Sequence, residues 1–307
     1  ELRCNDLLRG PTKICSDGDM DAIFASAFLI RGLDLVGDLR EILRFPRPDR
    51  LSGYVVGDSF AVELPLSKGV VYRGRVVLID HHPEPARVEV YEGGRLVDRC
   101  VVGDVRSVAS AVYIILRDSL DLPQIALNIL RSIDNIDSAV YEAELDRWLH
   151  KAFFINKMDN SFRYLLVEYV LDDKWDKIVE WAKKQASIYD REVPRTVEKL
   201  VGRARELKPD VVYFTYDLED KYESAALTPA MIRLEDKFSI VIAIGTRKNK
   251  AFSARIATKR DIDLAPIFHR LREQGISAGG RRNVGGAGFG GIPLDSAIEK
   301  LRKAIDK

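Results

Sequence analysis

The sequence predicts an α/β protein: a mostly parallel sheet flanked by helices in the N-terminal part, then a helical connector, then a smaller α/β domain. Three observations carry that expectation. Residues 12–140 alternate short β-branched runs with helical stretches of the length that parallel strands need for their crossovers. Residues 141–208 carry a continuous helical pattern, and strand patterns return from residue 209. The expected boundaries are therefore 1–140, 141–208 and 209–307.

Each element has its own signal. Thr12 to Ser16 (TKICS) reads as a buried strand, and the segment from Ala22 (AIFASAFLIRGL) is apolar all round, as a helix packed inside an α/β layer is. SGYVVGDS and RVVLIDHH are two further strands, and VYEGGRLVDRCVV reads as a hairpin about Gly93-Gly94. Residues 107–133 are helical in pattern, with Pro123 suited to the first turn of a second helix. In the connector, Pro194 is expected to break or restart a helix. DVVYFTY, FSIVIAIGT and KAFSARIAT are strands, LAPIFHRLREQG a helix, GGRRNVGGAGFGG a glycine-dense loop and SAIEKLRKAI a last amphipathic helix.

Composition bounds the function. The chain has 307 residues, 46% hydrophobic and 31% charged, enough for about two domains with real cores and too apolar for a disordered chain. A net charge of +1 excludes a strongly basic nucleic-acid coat but not a local basic groove. No run approaches the ~18 apolar residues of a membrane helix, and no secretion signal is apparent, so a cytoplasmic protein without a membrane partner is expected. Cys4, Cys15 and Cys100 describe neither a disulfide framework nor a zinc motif. Few Gln, Asn, Cys and Met among many charged residues is a thermophile-like composition.

In open α/β sheets, ligands bind beyond the carboxyl ends of the strands, and three unusual polar clusters stand at such expected ends. The first strand runs into Asp17, Asp19 and Asp21, three carboxylates at alternate positions that fold together only if solvated or neutralised by a cation. The next strand ends on Asp58, and the third on Asp80-His81-His82. Mixed carboxylate and imidazole ligands suit Mn²⁺, and less exclusively Mg²⁺, Co²⁺ or Zn²⁺. A calcium loop is disfavoured because no Glu stands at the twelfth position. Taken singly, Asp58 reads as a helix cap and His81-His82 as a satisfied core pair; three clusters at strand ends favour one shared site. Such a set suits hydrolysis of a phosphoester, because paired ions activate water and hold both the attacking and the leaving oxygen.

These residues resemble the DHH phosphoesterases, in particular the subfamily of RecJ-type single-strand exonucleases, nanoRNases and cyclic-dinucleotide phosphodiesterases. Asp80-His81-His82 after VVLI matches the name-giving motif, Asp17-x-Asp19-x-Asp21-Ala the first motif, and Asp58, 22 residues ahead of Asp80, the second. The fourth is Asp134 in LRSIDNID, with Asp137 the alternative. The strand FSARIAT with Arg255, and the run from Gly279 to Phe289, resemble the family's C-terminal domain and its glycine-rich loop. The resemblance implies two Mn²⁺ ions, with Mg²⁺ or Co²⁺ as substitutes, held by Asp17, Asp19, Asp21, Asp58, Asp80, His82 and Asp134, with Asp58 bridging. It implies catalytic roles for Asp80, His81 and His82, and substrate contacts from Arg255, Gly279, Gly280, Arg281, Arg282 and Asn283. In this picture the two domains face each other across a cleft. The implied substrate is a nucleotide or short single-stranded DNA or RNA, and a homodimer or a replication or repair partner stays open. So does a non-catalytic replication scaffold that keeps the fold after losing ligands.

Two departures bear on this. Cys15 and Asp17 stand where many members have a histidine, and Arg281-Arg282 or Arg282-Asn283 replaces the usual His-Pro of the loop, where arginine can hold a phosphate bidentately. Arg44, Arg47 and Arg50 read as solvated surface sooner than as a phosphate track, and Phe153, Phe154, Phe162 and Tyr164 as core sooner than as a base-stacking platform. Ser107 and Ser110 fit a helix cap.

Overall fold

The structure is a computed structural model that describes residues 4–47, 51–82 and 85–305. Arg50 lies outside the described residues. The chain divides into two compact units between Ala186 and Ser187.

The first unit begins with α1 (Cys4–Leu7), β1 (Ile14–Ser16), α2 (Met20–Gly32), α3 (Leu39–Ile42), β2 (Leu43–Arg44), β3 (Val55–Gly57) and β4 (Phe60–Val62). Next come β5 (Val71–Arg73), β6 (Arg75–Asp80), β7 (Ala86–Glu92) and β8 (Arg95–Gly103), then α4 (Val108–Leu116), α5 (Gln124–Asp137), α6 (Glu144–Asn156) and α7 (Ser161–Leu171). The main sheet has the order β2-β1-β4-β6-β7-β8. Its first four strands are parallel, and β7 and β8 add an antiparallel hairpin whose turn is Gly93-Gly94, both at positive φ as a tight two-residue turn requires. Successive residues of β6 serve two cores. Val77 and Ile79 pack with α2, which is buried from Met20 to Ile30, and Val76 and Leu78 pack with Val56, Leu64 and Tyr72.

The expected strand at YVVG is β3, but it pairs only with β5 in a separate two-stranded ladder. The strand that enters the main sheet is β4, a few residues later. Cys4 and Cys100 form a disulfide tying α1 to β8, against the expectation of none. They are 96 residues apart in sequence, and only the folding of the sheet brings their Cα atoms within 5.3 Å. Cys15 is free and buried.

The 28-residue helix α8 (Trp175–Gly202) passes through the division between the units. Its first half adds Trp175, Ile178 and Ala182 to the core of the first unit, and its second half adds Val193, Val197 and Leu200 to that of the second. Pro194 lies inside this helix without ending it, because apolar neighbours on either side are held by packing. The stretch read as a connector is likewise divided: α7 packs on α2, and Leu149, Ala152 and Ile155 of α6 are buried.

The second unit contains β9 (Arg205–Lys208), β10 (Val211–Asp217), α9 (Lys221–Glu235), β11 (Ile240–Arg247), β12 (Lys250–Ala257), α10 (Ala265–Glu273), β13 (Ser277–Gly280), β14 (Val284–Pro293) and α11 (Leu294–Ile305). Its sheet order is β13-β14-β12-β11-β10-β9, with only β10 and β11 parallel. The expected glycine loop is therefore a hairpin, β13 and β14, turning at residues 281–283. Glycine is needed at Gly285, where a Cβ would stand 2.3 Å from the Phe268 ring. Among the described residues no helix is long and apolar enough to cross a membrane.

Candidate metal centre

Parallel strands deliver their C-terminal ends to one edge; β6 ends on Asp80, and β1 and β4 are followed directly by Asp17 and Glu63. After β1 the chain turns through Asp17, Gly18 and Asp19 into α2. Asp19 caps that helix by accepting from the Ala22 N–H at 2.9 Å, and Asp21 follows in its first turn. Gly18 has φ +81°, and a Cβ there would stand 2.7 Å from Arg163 Nε. Arg163 is buried and donates to Gly18 O at 2.6 Å, to Asp159 O and Asn160 Oδ1 at 3.0 Å each, and to Lys157 O at 3.0 Å. It fastens the carboxylate loop to the start of α7.

β4 is followed by Glu63, which no sequence pattern singled out. Glu63 holds φ +53°, an uncommon conformation for a long side chain, and is buried. Its Oε1 lies 3.2 Å from His81 Nε2 and 3.5 Å from His82 Nδ1. Burial pushes the Glu63 carboxyl up, but the two imidazoles outweigh it and hold the pKa at about 2. β6 ends on Asp80, so the side-chain alternation of a strand stops there, and both following imidazoles reach Glu63, with ring centroids 3.8 Å apart. His81 Nε2 also lies 3.6 Å from Asp21 and 3.4 Å from Asp137.

Three sets of side chains have ligand atoms within 4.8 Å of one another: Asp17, Asp19 and Glu63; Asp21, His81 and Asp137; Glu63, His81 and His82. Glu63 and His81 each belong to two sets. Asp21 is anchored by the N-terminus of α4, its two oxygens accepting from Val108 N and Ala109 N at 2.7 Å each. Burial, then repulsion from Glu63, raises Asp21 well above the ordinary carboxylate range. Burial, then repulsion from Asp17, does the same to Asp19. Asp17 is pushed up to about 6 by burial and by Glu63, against the pull of Lys68, whose Nζ donates to Asp17 at 2.9 Å and to Glu63 O at 2.7 Å.

Two expected ligands lie elsewhere. Asp58 precedes β4, at the N-terminal ends of β4 and β6, where it takes φ +43° and accepts from Arg75 N at 2.9 Å. At about 3.3 Å per strand residue, that is roughly 15 Å from Glu63. Asp134 accepts from Ser107 Oγ at 2.5 Å and Ser110 Oγ at 2.7 Å, which leaves Asp137, one turn on, as the carboxylate of α5 in the ligand sets. Ser107 also caps α4. Asp80 is buried beside the sets; its Oδ1 accepts from His82 N at 2.9 Å, and its Oδ2 lies 3.6 Å from Arg87.

The fit to metal rests on atoms that protein groups do not satisfy. Glu63 Oε2 is buried with no hydrogen-bond partner, a costly state unless something else binds there, and His81 Nε2 stands among the carboxylates of Glu63, Asp137 and Asp21 at 3.2, 3.4 and 3.6 Å. With acids that repel one another beside them, the oxygen and nitrogen donors fit divalent cations.

In the second unit, Arg281, Arg282 and Asn283 are exposed at the hairpin turn, and Arg282 pairs with Asp261 at 2.7 Å. Arg255 is exposed on β12 and reaches Thr228 at 3.3 Å. Gly279 has nothing within 4 Å of where a Cβ would sit, whereas a Cβ on Gly280 would stand 2.3 Å from Gly285.

No protein-family model and no curated protein matches this sequence. Solved structures do. Exonuclease RecJ bound to manganese is 13% identical, with a TM-score of 0.55 over 100% of this chain and 95% of the other. The pGpG-specific phosphodiesterase PggH from Vibrio is 16% identical, with a TM-score of 0.54 over 95% of this chain and 97% of the other. The DHH domain of PF0399 is 14% identical, with a TM-score of 0.55 over 98% and 88%. The chain therefore has the fold of the DHH-domain proteins, with its own Asp80-His81-His82 at the end of β6.

Proposed function

We propose that the chain is a divalent-metal-dependent phosphoesterase acting on nucleotides or short single-stranded nucleic acid, with Mn²⁺ as its principal ion. The observation that carries this is the meeting of Glu63 and His81, each in two sets of possible ligands, with the carboxylates of Asp17, Asp19, Asp21 and Asp137. The fold shared with a manganese-bound exonuclease and a phosphodiesterase supports it.

Asp17, Asp19 and Glu63 would hold one ion and Asp21, His81 and Asp137 a second; Glu63, which also meets His81, would take the role first given to Asp58. Bound there, the ions supply Lewis acidity toward phosphoryl oxygens and a more acidic water. His82 is exposed beside Glu63, where an imidazole can give a proton to a leaving oxygen. Arg255, Arg281, Arg282 and Asn283, with the open face of Gly279, take substrate phosphate. A net charge of +1 favours short substrates, because long tracts call for many clustered cations. The retained acids weigh against a non-catalytic scaffold, since they destabilise a fold that gives them no cation.

The test is a panel of pAp, cyclic dinucleotides, dinucleotides and longer single strands incubated with Mn²⁺. Release of mononucleotide or phosphate is expected, and its abolition in Asp21→Asn. Equal turnover in that variant removes the metal centre from the reaction.

A further inference from the structure

Beside the carboxylates, the first unit has a cavity of about 260 Å³. Ile133 and Ile136 of α5 form one part of its wall; Tyr141, with His150 and Phe154 of α6, supplies rings for the rest. The lining continues onto Asp19, Asp21 and Asp137, so one occupant can touch the rings and the candidate metal centre together.

We infer that this cavity is a nucleobase subsite: it takes the single flat base of the nucleotide whose phosphate lies at the carboxylate cluster. The inference rests on the phosphoesterase reading above and adds the group by which the substrate is selected.

Four properties of the wall point to a base. The volume lies below the roughly 300 Å³ at which clefts for larger ligands begin, so it is of a size for one ring system. The rings are set at varied angles: His150 and Phe154 have centroids 4.6 Å apart at 45°, and Tyr141 meets His150 edge-on at 4.9 Å and 74°. Rings set at different angles can meet a planar guest by face or by edge. Tyr141 Oη lies 3.0 Å from His150 Nδ1, which fixes the imidazole's orientation. Burial, then Lys151, lowers the His150 pKa, so the ring stays neutral and stacks as an aromatic group without adding a charge.

Phe153 and Phe154 are half-buried, whereas Phe162 and Tyr164 are buried. The aromatic set thus divides: Phe162 and Tyr164 are core, as the sequence suggested, while Phe154 and its neighbours face a cavity.

Two ligands differing only in the base test this: adenosine 5′-monophosphate and ribose 5-phosphate, titrated calorimetrically into the full chain with Mn²⁺. The nucleotide is expected to bind at least tenfold tighter. Phe154→Leu, which keeps an apolar side chain but removes the ring, should weaken nucleotide binding about tenfold, or about 1.4 kcal/mol, and leave ribose 5-phosphate unchanged. Phe154→Trp should restore it. Equal wild-type affinity for the two ligands, no binding of either, or an equal loss for both in Phe154→Leu overturns the subsite. Failure of the phosphoesterase reading is separate: the wild type then hydrolyses nothing in the panel while still preferring the nucleotide.

Discussion

Asp58 and Glu63 bracket one short strand, and only Glu63 reaches the imidazoles, its Oε1 lying 3.2 Å from His81 Nε2. Asp58 binds the backbone of Arg75 at the other end. Glu63→Gln is therefore expected to lower Mn²⁺-supported turnover roughly 100-fold or more, the scale on which the groups around a metal matter. Asp58→Asn keeps a residue that tolerates positive φ and should change turnover less than about threefold. Initial rates on a dinucleotide check both, and the reverse ranking would restore Asp58 to the centre.

The protonation of Asp17 sets a pH dependence. Its folded pKa of about 6 lies above the ordinary 3.8, so between those values the folded state holds more protons than the unfolded one. That contribution is present at low pH and is lost as pH rises through about 6. In EDTA, the Tm should thus be higher at pH 5 than at pH 7.5, and Asp17→Asn should reduce the difference, the rest coming from Asp19 and Asp21, which are raised in the same sense. Glu63, depressed to about 2, loses its contribution only below pH 4.5 and falls outside this window. Mn²⁺ must displace the Asp17 proton, so calorimetry at pH 5.5 in two buffers should show proton release on binding.

Arg163 acts on the centre through Gly18. Its planar fork satisfies four acceptors, a geometry that lysine cannot reproduce. Arg163→Lys should weaken Mn²⁺ binding by about 10–100-fold while the fold persists, measured by calorimetry alongside circular dichroism. Unchanged affinity would make the contact purely structural.

The glycines of the β13–β14 hairpin separate packing from access. Gly285→Ala must displace the Phe268 ring and should cost about 1–3 kcal/mol, read as a lowered denaturation midpoint. Gly279→Ala meets nothing, so the midpoint should move by less than about 0.5 kcal/mol, and a raised KM would mark that face as a substrate contact. A large stability loss at Gly279 would contradict its open surroundings.

Local pattern alone determined much of this protein. β1 with its three following acids, the fully buried α2, the strand leading into Asp80-His81-His82 and the strands β10, β11 and β12 are legible, because hydrophobic period and strand-end chemistry are local; β9, inside the stretch read as helical, and the β13–β14 hairpin, read as a loop, are not. Tertiary structure decided which acids meet. YVVG and FAV are equally good strands by composition, and only pairing to β1 and β6 selects FAV, which carries Glu63 to the site and leaves Asp58 at the far end. Asp134 and Asp137 differ by one helical turn, and the serines of α4 engage the first, leaving the second for the ligand sets. The Cys4–Cys100 disulfide and the grip of Arg163 on Gly18 join residues 96 and 145 positions apart. Spacing along the chain holds no trace of such contacts, because they arise only when separate elements pack against one another.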